Sequence, residues 1–158
     1  MLVLSSFTED FRHKYFSFII DNDTVAGFTL STTSVTVSEA GASDTFTVVL
    51  DAQPPSGNVV LAITSADTGE AKVAPETLTF TSETWNIERI VTVTGVDDSA
   101  VDGTVATVVT LAIDADKTNP STGYNDVANG TVTVSTTDND RTTKLLLRIV
   151  VAQISLLH

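Results

Sequence analysis

From residue 27 to residue 137, apolar and polar side chains mostly alternate with a period of two. Residues 44–51 place Phe46, Val48 and Leu50 on one face, and residues 77–82 place Leu78 and Phe80 on one face. Residues 104–114 repeat the pattern with Val105, Thr107, Val109, Leu111 and Ile113, and residues 130–137 with Val132 and Val134. Such alternation is the mark of a half-buried strand. Further strands are expected over 27–39, with a kink at Thr32–Thr33, over 59–65 and over 87–96, and a short edge strand near 71–73. Turn-rich stretches such as PPSGN at 54–58 separate them. No stretch of this body has helical periodicity with caps. About seven short strands divided by turns predict an immunoglobulin-like antiparallel β-sandwich.

The order of strands also predicts position. If successive strands run antiparallel, alternate connections lie at the same end of the sandwich. The segments that follow the strands ending near 39, 65, 96 and 137 then share one end, here called the far pole. Glu39, Asp67, Asp97, Asp98, Asp102, Asp138 and Asp140 all fall on those segments, with Asp44 close by. The near pole receives the connections at 51–58, 82–87 and 114–129.

Charge sharpens this picture. The chain has 158 residues and a net charge of −12. Residues 21–140 hold 18 acidic residues against three basic ones, Lys72, Arg89 and Lys117, together with 24 threonines, a residue suited to strands. This balance argues against nucleic acid or an anionic membrane as partner. Carboxylates gathered at one pole repel one another unless a cation lies among them. Ca2+ accepts six to eight oxygen ligands in flexible geometry, which loop aspartates and backbone carbonyls can supply. There is no cysteine, and both histidines, His13 and His158, lie in the flanks, which argues against zinc or copper in the body. The spacing is not that of an EF-hand. The plainer alternative is an acidic, solvated surface that keeps a sheet protein soluble.

The stretches VTVSEAG, TWNIERIVTVTGVDD, VDG and TDND, in that order over residues 24–140, resemble the Calx-beta-type repeat, and TFTVVLDAQP and DTGEAKVAPETLTFT resemble the variant found in tandem arrays of bacterial surface proteins. The resemblance implies an immunoglobulin-like sandwich with calcium at one pole, and as ligands Glu39, Asp97, Asp98, Asp102, Asp138 and Asp140. Asp67 is assigned by strand order. The loop at 97–103 has fewer glutamates than exchanger-type members, which implies fewer ions or weaker affinity.

The expected function is therefore a calcium-binding, non-catalytic module, a spacer or adhesive unit of an exported repeat protein at the cell surface. Its expected partners are calcium, neighbouring modules and a surface ligand. The alternatives are a module that binds carbohydrate or protein through the near-pole loops, and a regulatory calcium sensor. No Ser–His–Asp or Cys–His set suggests an enzyme, and the paired carboxylates lack an evident cleft. Trp85 is expected to pack at a strand start rather than to form a sugar platform. Asp114, Asp116 and Asp126 are expected on a solvated near-pole loop rather than around a second ion.

The flanks differ from the body. Residues 1–23 do not form a convincing signal peptide, and read as the end of a preceding repeat unit or a non-native leader. Asp21–Asp23 repeats the sequence of Asp138–Asp140 at a distance of 117 residues. Residues 141–158 read as an apolar tail, truncated or out of frame, with an apolar run too short to span a membrane.

Overall fold

The structure is a computed structural model that describes residues 25–140. The expectations for residues 1–23 and 141–158 lie outside the described residues. Among the described residues, nine strands form two sheets: β1 (Phe28–Leu30), β2 (Ser34–Ser38), β3 (Ser43–Leu50), β4 (Asn58–Ser65), β5 (Ala71–Ala74), β6 (Thr77–Thr81), β7 (Arg89–Gly95), β8 (Val105–Ile113) and β9 (Gly130–Thr137). One sheet has the order β1-β3-β7-β5, the other β2-β9-β8-β4-β6. The protein is thus an immunoglobulin-like β-sandwich.

The alternation of side chains becomes the core. Phe46, Val48, Leu50, Val91 and Val93 from one sheet meet Leu61, Ile63, Phe80, Val109, Leu111, Val132 and Val134 from the other, all nearly inaccessible to water. Each large aliphatic or aromatic side chain removed from water in this way contributes about 1.5–3 kcal/mol. Trp85 is partly buried against this core.

Two details differ from the simplest reading of the sequence. The kink expected at Thr32–Thr33 is a change of sheet: β1 pairs with β3 in one sheet, and β2 pairs with β9 in the other. The β2–β9 ladder is parallel, the other ladders antiparallel. The step from β5 to β6 is a second change of this kind, in which the chain passes to the other sheet without reversing, and the two together raise the strand number from about seven to nine. Both changes occur at lateral edges of the sandwich, where one strand can cap two sheets. Neither reverses the run of the chain between poles, so the strand-order argument survives. Ser38 lies opposite Thr137, Val105 opposite Thr136 and Ala71 opposite Gly95, all at the far pole.

Candidate metal centre

The far pole is assembled by backbone contacts before any carboxylate is considered. The Glu39 amide donates to Thr137 O (3.1 Å), which fixes the end of β2 on the end of β9. The Val96 amide donates to Glu70 O (2.9 Å), which ties the loop after β7 to the segment before β5. The Gly103 amide donates to Asp138 Oδ2 (2.9 Å), closing the 97–103 loop onto the segment after β9. Gly103 has φ +78°, a conformation that side-chain-bearing residues seldom adopt.

Five carboxylates meet on this frame in two triads. Oxygens of Glu39, Asp98 and Asp140 lie within 4.8 Å of one another, and so do oxygens of Glu70, Asp98 and Asp102. Asp98 belongs to both. Glu39 is 2% and Glu70 8% exposed, whereas Asp98 and Asp102 are at the surface. Among the described residues, two buried carboxylate oxygens have no hydrogen-bond partner, Oε2 of Glu70 and Oδ2 of Asp140, one in each triad.

The electrostatics follow from this crowding. The Asn139 amide, 3.2 Å from Glu39 Oε2, favours the charged form of Glu39. Burial and the charges of Asp138, Asp98 and Asp102 outweigh it, and the carboxyl is held above its ordinary value. Burial first, then Asp102, Asp67, Asp98 and Glu39, hold the Glu70 carboxyl up as well. Asp138 is lowered, because it accepts from the amides of Gly103 and Asp140.

The seven residues expected from the sequence therefore fall into three groups. Glu39, Asp98, Asp102 and Asp140 are brought together. Asp138 acts beside them as a buttress whose oxygens are used by backbone amides. Asp97 accepts from Asn139 Nδ2 at 2.8 Å, and Asp67 accepts from the Gly69 amide at 2.9 Å; neither joins a triad. Asp44, near in sequence, accepts from the amides of Thr36 and Thr45 instead. Glu70 was not singled out by the sequence. It directly precedes β5, and a residue just before a strand that starts at this pole is the signal that finds it.

The near pole is put together differently. Tyr124 is buried, and its hydroxyl donates to Ala52 O at 2.6 Å and accepts from Ala52 N at 3.3 Å. Thr118 Oγ1 accepts from Val60 N and donates to Val60 O. Asp114 pairs with Lys117 Nζ at 2.6 Å, and that contact lowers the aspartate and raises the lysine. A cleft of about 560 Å³ opens beside β1, with Phe28, Leu30 and Val127 on its walls and Asp51 and Asp126 lining it; among the described residues Phe28 is its one aromatic side chain.

Comparison with known proteins supports the fold and stops there. No described sequence family and no curated protein matches the chain. Solved structures do. The seventh PapD-like domain of human CEP192 superposes with a TM-score of 0.52 and 9% identity over 72% of this chain and 86% of that one. The apo-form Calx CBD1 domain gives 0.51 and 15% identity over 73% of this chain and 99% of that one. The periplasmic chaperone SfaE gives 0.51 and 11% identity over 72% of this chain, which spans 58% of the chaperone. Likenesses at these identities establish an immunoglobulin-like architecture alone. Among the described residues no helix is long and apolar enough to cross a membrane.

Proposed function

We propose that the protein is a non-catalytic, calcium-binding β-sandwich module, a structural spacer or adhesive unit of an exported repeat protein. The observation that carries this reading is the pair of buried, unpartnered carboxylate oxygens on Glu70 and Asp140, one in each triad. A buried polar atom without a partner is costly, and a buried anionic one more so. Neighbouring carboxylates make it worse, since they are acceptors too. A cation supplies what both oxygens lack.

The donor set fits calcium. All candidate ligand atoms are carboxylate oxygens, the choice of a hard cation, with no thiolate or imidazole among them. Two oxygens each about 2.4 Å from one ion stand at most about 4.8 Å apart, and the triads meet that limit. One lobe would use Glu39, Asp98 and Asp140, the other Glu70, Asp98 and Asp102, with Asp98 shared. Asp67, Asp97 and Asp138 complete the acidic shell around them. Three carboxylates per lobe leave room for backbone carbonyls and water in the shell of each ion. A bound ion would neutralise the repulsion that holds Glu39 and Glu70 above their ordinary values, and would lock four segments of chain together.

The resemblance to bacterial surface arrays supports a location at the cell surface or outside the cell, where calcium is abundant and weak sites suffice. Stiffening by an ion shared among four segments suits a spacer between neighbouring modules. Thermal melting of the full chain in calcium and in chelator tests the reading. Calcium at a hundredfold its Kd adds about 2.7 kcal/mol for one site, which moves the midpoint of a domain of this size by roughly 10 °C. Superimposable melting curves would overturn it.

A further inference from the structure

We propose that Gly95 is the positioning residue of this acidic pole. The missing side chain there lets the Ser38–Ala42 turn carry Glu39 up to Asp98 and Asp140. One added methyl group detaches that lobe and leaves the Glu70 lobe formed. The inference rests on the calcium reading above, and the experiment below separates the two.

Gly95 is the last residue of β7 and is buried. Its φ lies outside the left-handed region, so its conformation does not call for glycine. Space does. A Cβ at this position would stand 2.2 Å from Ser38 O, 2.6 Å from Ser38 C and 3.0 Å from Ser38 N. All three are backbone atoms, which cannot rotate aside as a flexible side chain can. The turn crosses β7 at this point and is fastened to it: Gly95 N donates to Ala42 O (3.3 Å), and Gly41 N donates to Ser38 O (3.0 Å). Glu39 follows Ser38, and Asp97 and Asp98 follow Gly95 by two and three residues. The closest approach of the two segments therefore sets the distance between the carboxylates they carry.

The clash is one-sided. β2 is held along its length by five paired positions on β9, from Ser34 to Ser38. A displacement forced at Ser38 is taken up at the end of the strand, where Glu39 begins. Glu70 is tied to the same end of β7, by the Val96 amide on its carbonyl and the pairing of Ala71 with Gly95, but the added Cβ points at Ser38, and no atom of Glu70 is among the three nearest to it. The lobe of Glu39, Asp98 and Asp140 should therefore open while that of Glu70, Asp98 and Asp102 stays.

The test compares the full chain with its Gly95→Ala and Gly130→Ala variants by calorimetric titration with Ca2+ and by amide hydrogen exchange in chelator. The Gly130 methyl meets the Phe28 ring at 2.7 Å at the other pole, and so controls for lost packing. In Gly95→Ala one class of calcium sites should weaken at least tenfold, with the other within about threefold of the parent. The Glu39 and Gly41 amides should exchange faster in chelator. Gly130→Ala should keep the parent's affinities. If Gly95→Ala does not fold, Gly41→Ala moves the same turn from its solvent side. Its φ is +86° with nothing within 4 Å of the new Cβ, so strain replaces collision, and the same class of sites should weaken by a smaller factor. Parental affinity and parental Glu39 exchange in the folded variants would overturn the proposal, as would equal weakening of both classes. If the parent binds no calcium, the calcium reading fails by itself, and the exchange of Glu39 in chelator still decides whether Gly95 positions the turn.

Discussion

At the near pole, Asp114 lies 2.6 Å from Lys117 Nζ, Asp51 accepts from the Thr29 hydroxyl, and the Tyr124 hydroxyl closes on Ala52. At the far pole, Glu39, Glu70, Asp98, Asp102 and Asp140 face one another with no lysine or arginine as salt-bridge partner among the described residues. Both poles consist of loops between strands of the same sandwich. The near pole pairs Asp114 and Asp51 with a cation and a hydroxyl and leaves one buried donor, Arg89 Nε, unpartnered; the far pole keeps two buried carboxylate oxygens unpartnered. The difference is one of chemistry: an acid at the near pole meets a cation or a hydroxyl, whereas the acids at the far pole meet one another. It also explains why the acidic residues are not interchangeable, although the composition treats them alike.

Breaking the far pole should give the largest effect, and the sign should depend on calcium. Asp98→Asn removes the charge common to both triads. In calcium it should cut the calcium-induced rise in melting temperature by at least half. In chelator the same variant should melt above the parent, because a repulsion has been removed. Scanning calorimetry in the two buffers measures both. A variant that is destabilised equally in both would make Asp98 an ordinary structural residue.

Breaking the near pole should cost stability without touching calcium. Tyr124→Phe strips the hydroxyl from the Ala52 peptide and leaves buried backbone groups unpaired, at about 1–3 kcal/mol. Denaturant unfolding should show the same loss with calcium and with chelator, and the calcium affinity should be that of the parent.

The pH dependence of the apo protein sharpens the comparison further. Glu39 and Glu70 are raised above 4.5 in the folded state. The folded chain therefore binds protons there that the unfolded chain does not, so stability falls as pH rises through the folded-state values. Asp138 is lowered below 3.8, so its contribution is present above that value and is lost as pH falls through the folded-state value. In chelator the melting temperature should rise as pH is lowered from 7 toward 4.5 and should turn down below 3.8. Saturating calcium should abolish the upper limb, since both glutamates are then held charged.

The smallest effect belongs to the near-pole ion pair. Lys117 is mostly exposed, so its pairing with Asp114 is screened by water and salt. Lys117→Ala should lower the melting temperature by about 1–2 °C at low salt and by less at high salt.

Much of this molecule was legible from period two alone. Phe46, Val48 and Leu50, or Val132 and Val134, cannot be buried together unless their segments are strands, and each observed strand lies within or beside the stretch where alternation put it. The meeting of Glu39, Asp98, Asp102 and Asp140 was legible too, because it follows from the parity of strand order rather than from the shape of any loop. The change of sheet at residues 31–33 and the parallel β2–β9 ladder were not, because an edge strand has the same alternation whichever sheet it joins. The fates of individual carboxylates were not legible either. Asp44, Asp67 and Asp97 are as acidic as Asp98 and lie on the same segments or next to them. Local amides of Thr36, Thr45 and Gly69 and the side chain of Asn139 capture them first. Glu70 enters for the converse reason: it is buried just ahead of β5, and its Oε2 has no donor. The sequence by itself determined the strands, their direction and the pole to which each loop belongs, because these depend on a repeat of two residues and on chain continuity. Only the tertiary structure decided which oxygens face one another, because that is set by turns and crossings such as Ser38 over Gly95, where tenths of an ångström count and sequence spacing carries no information.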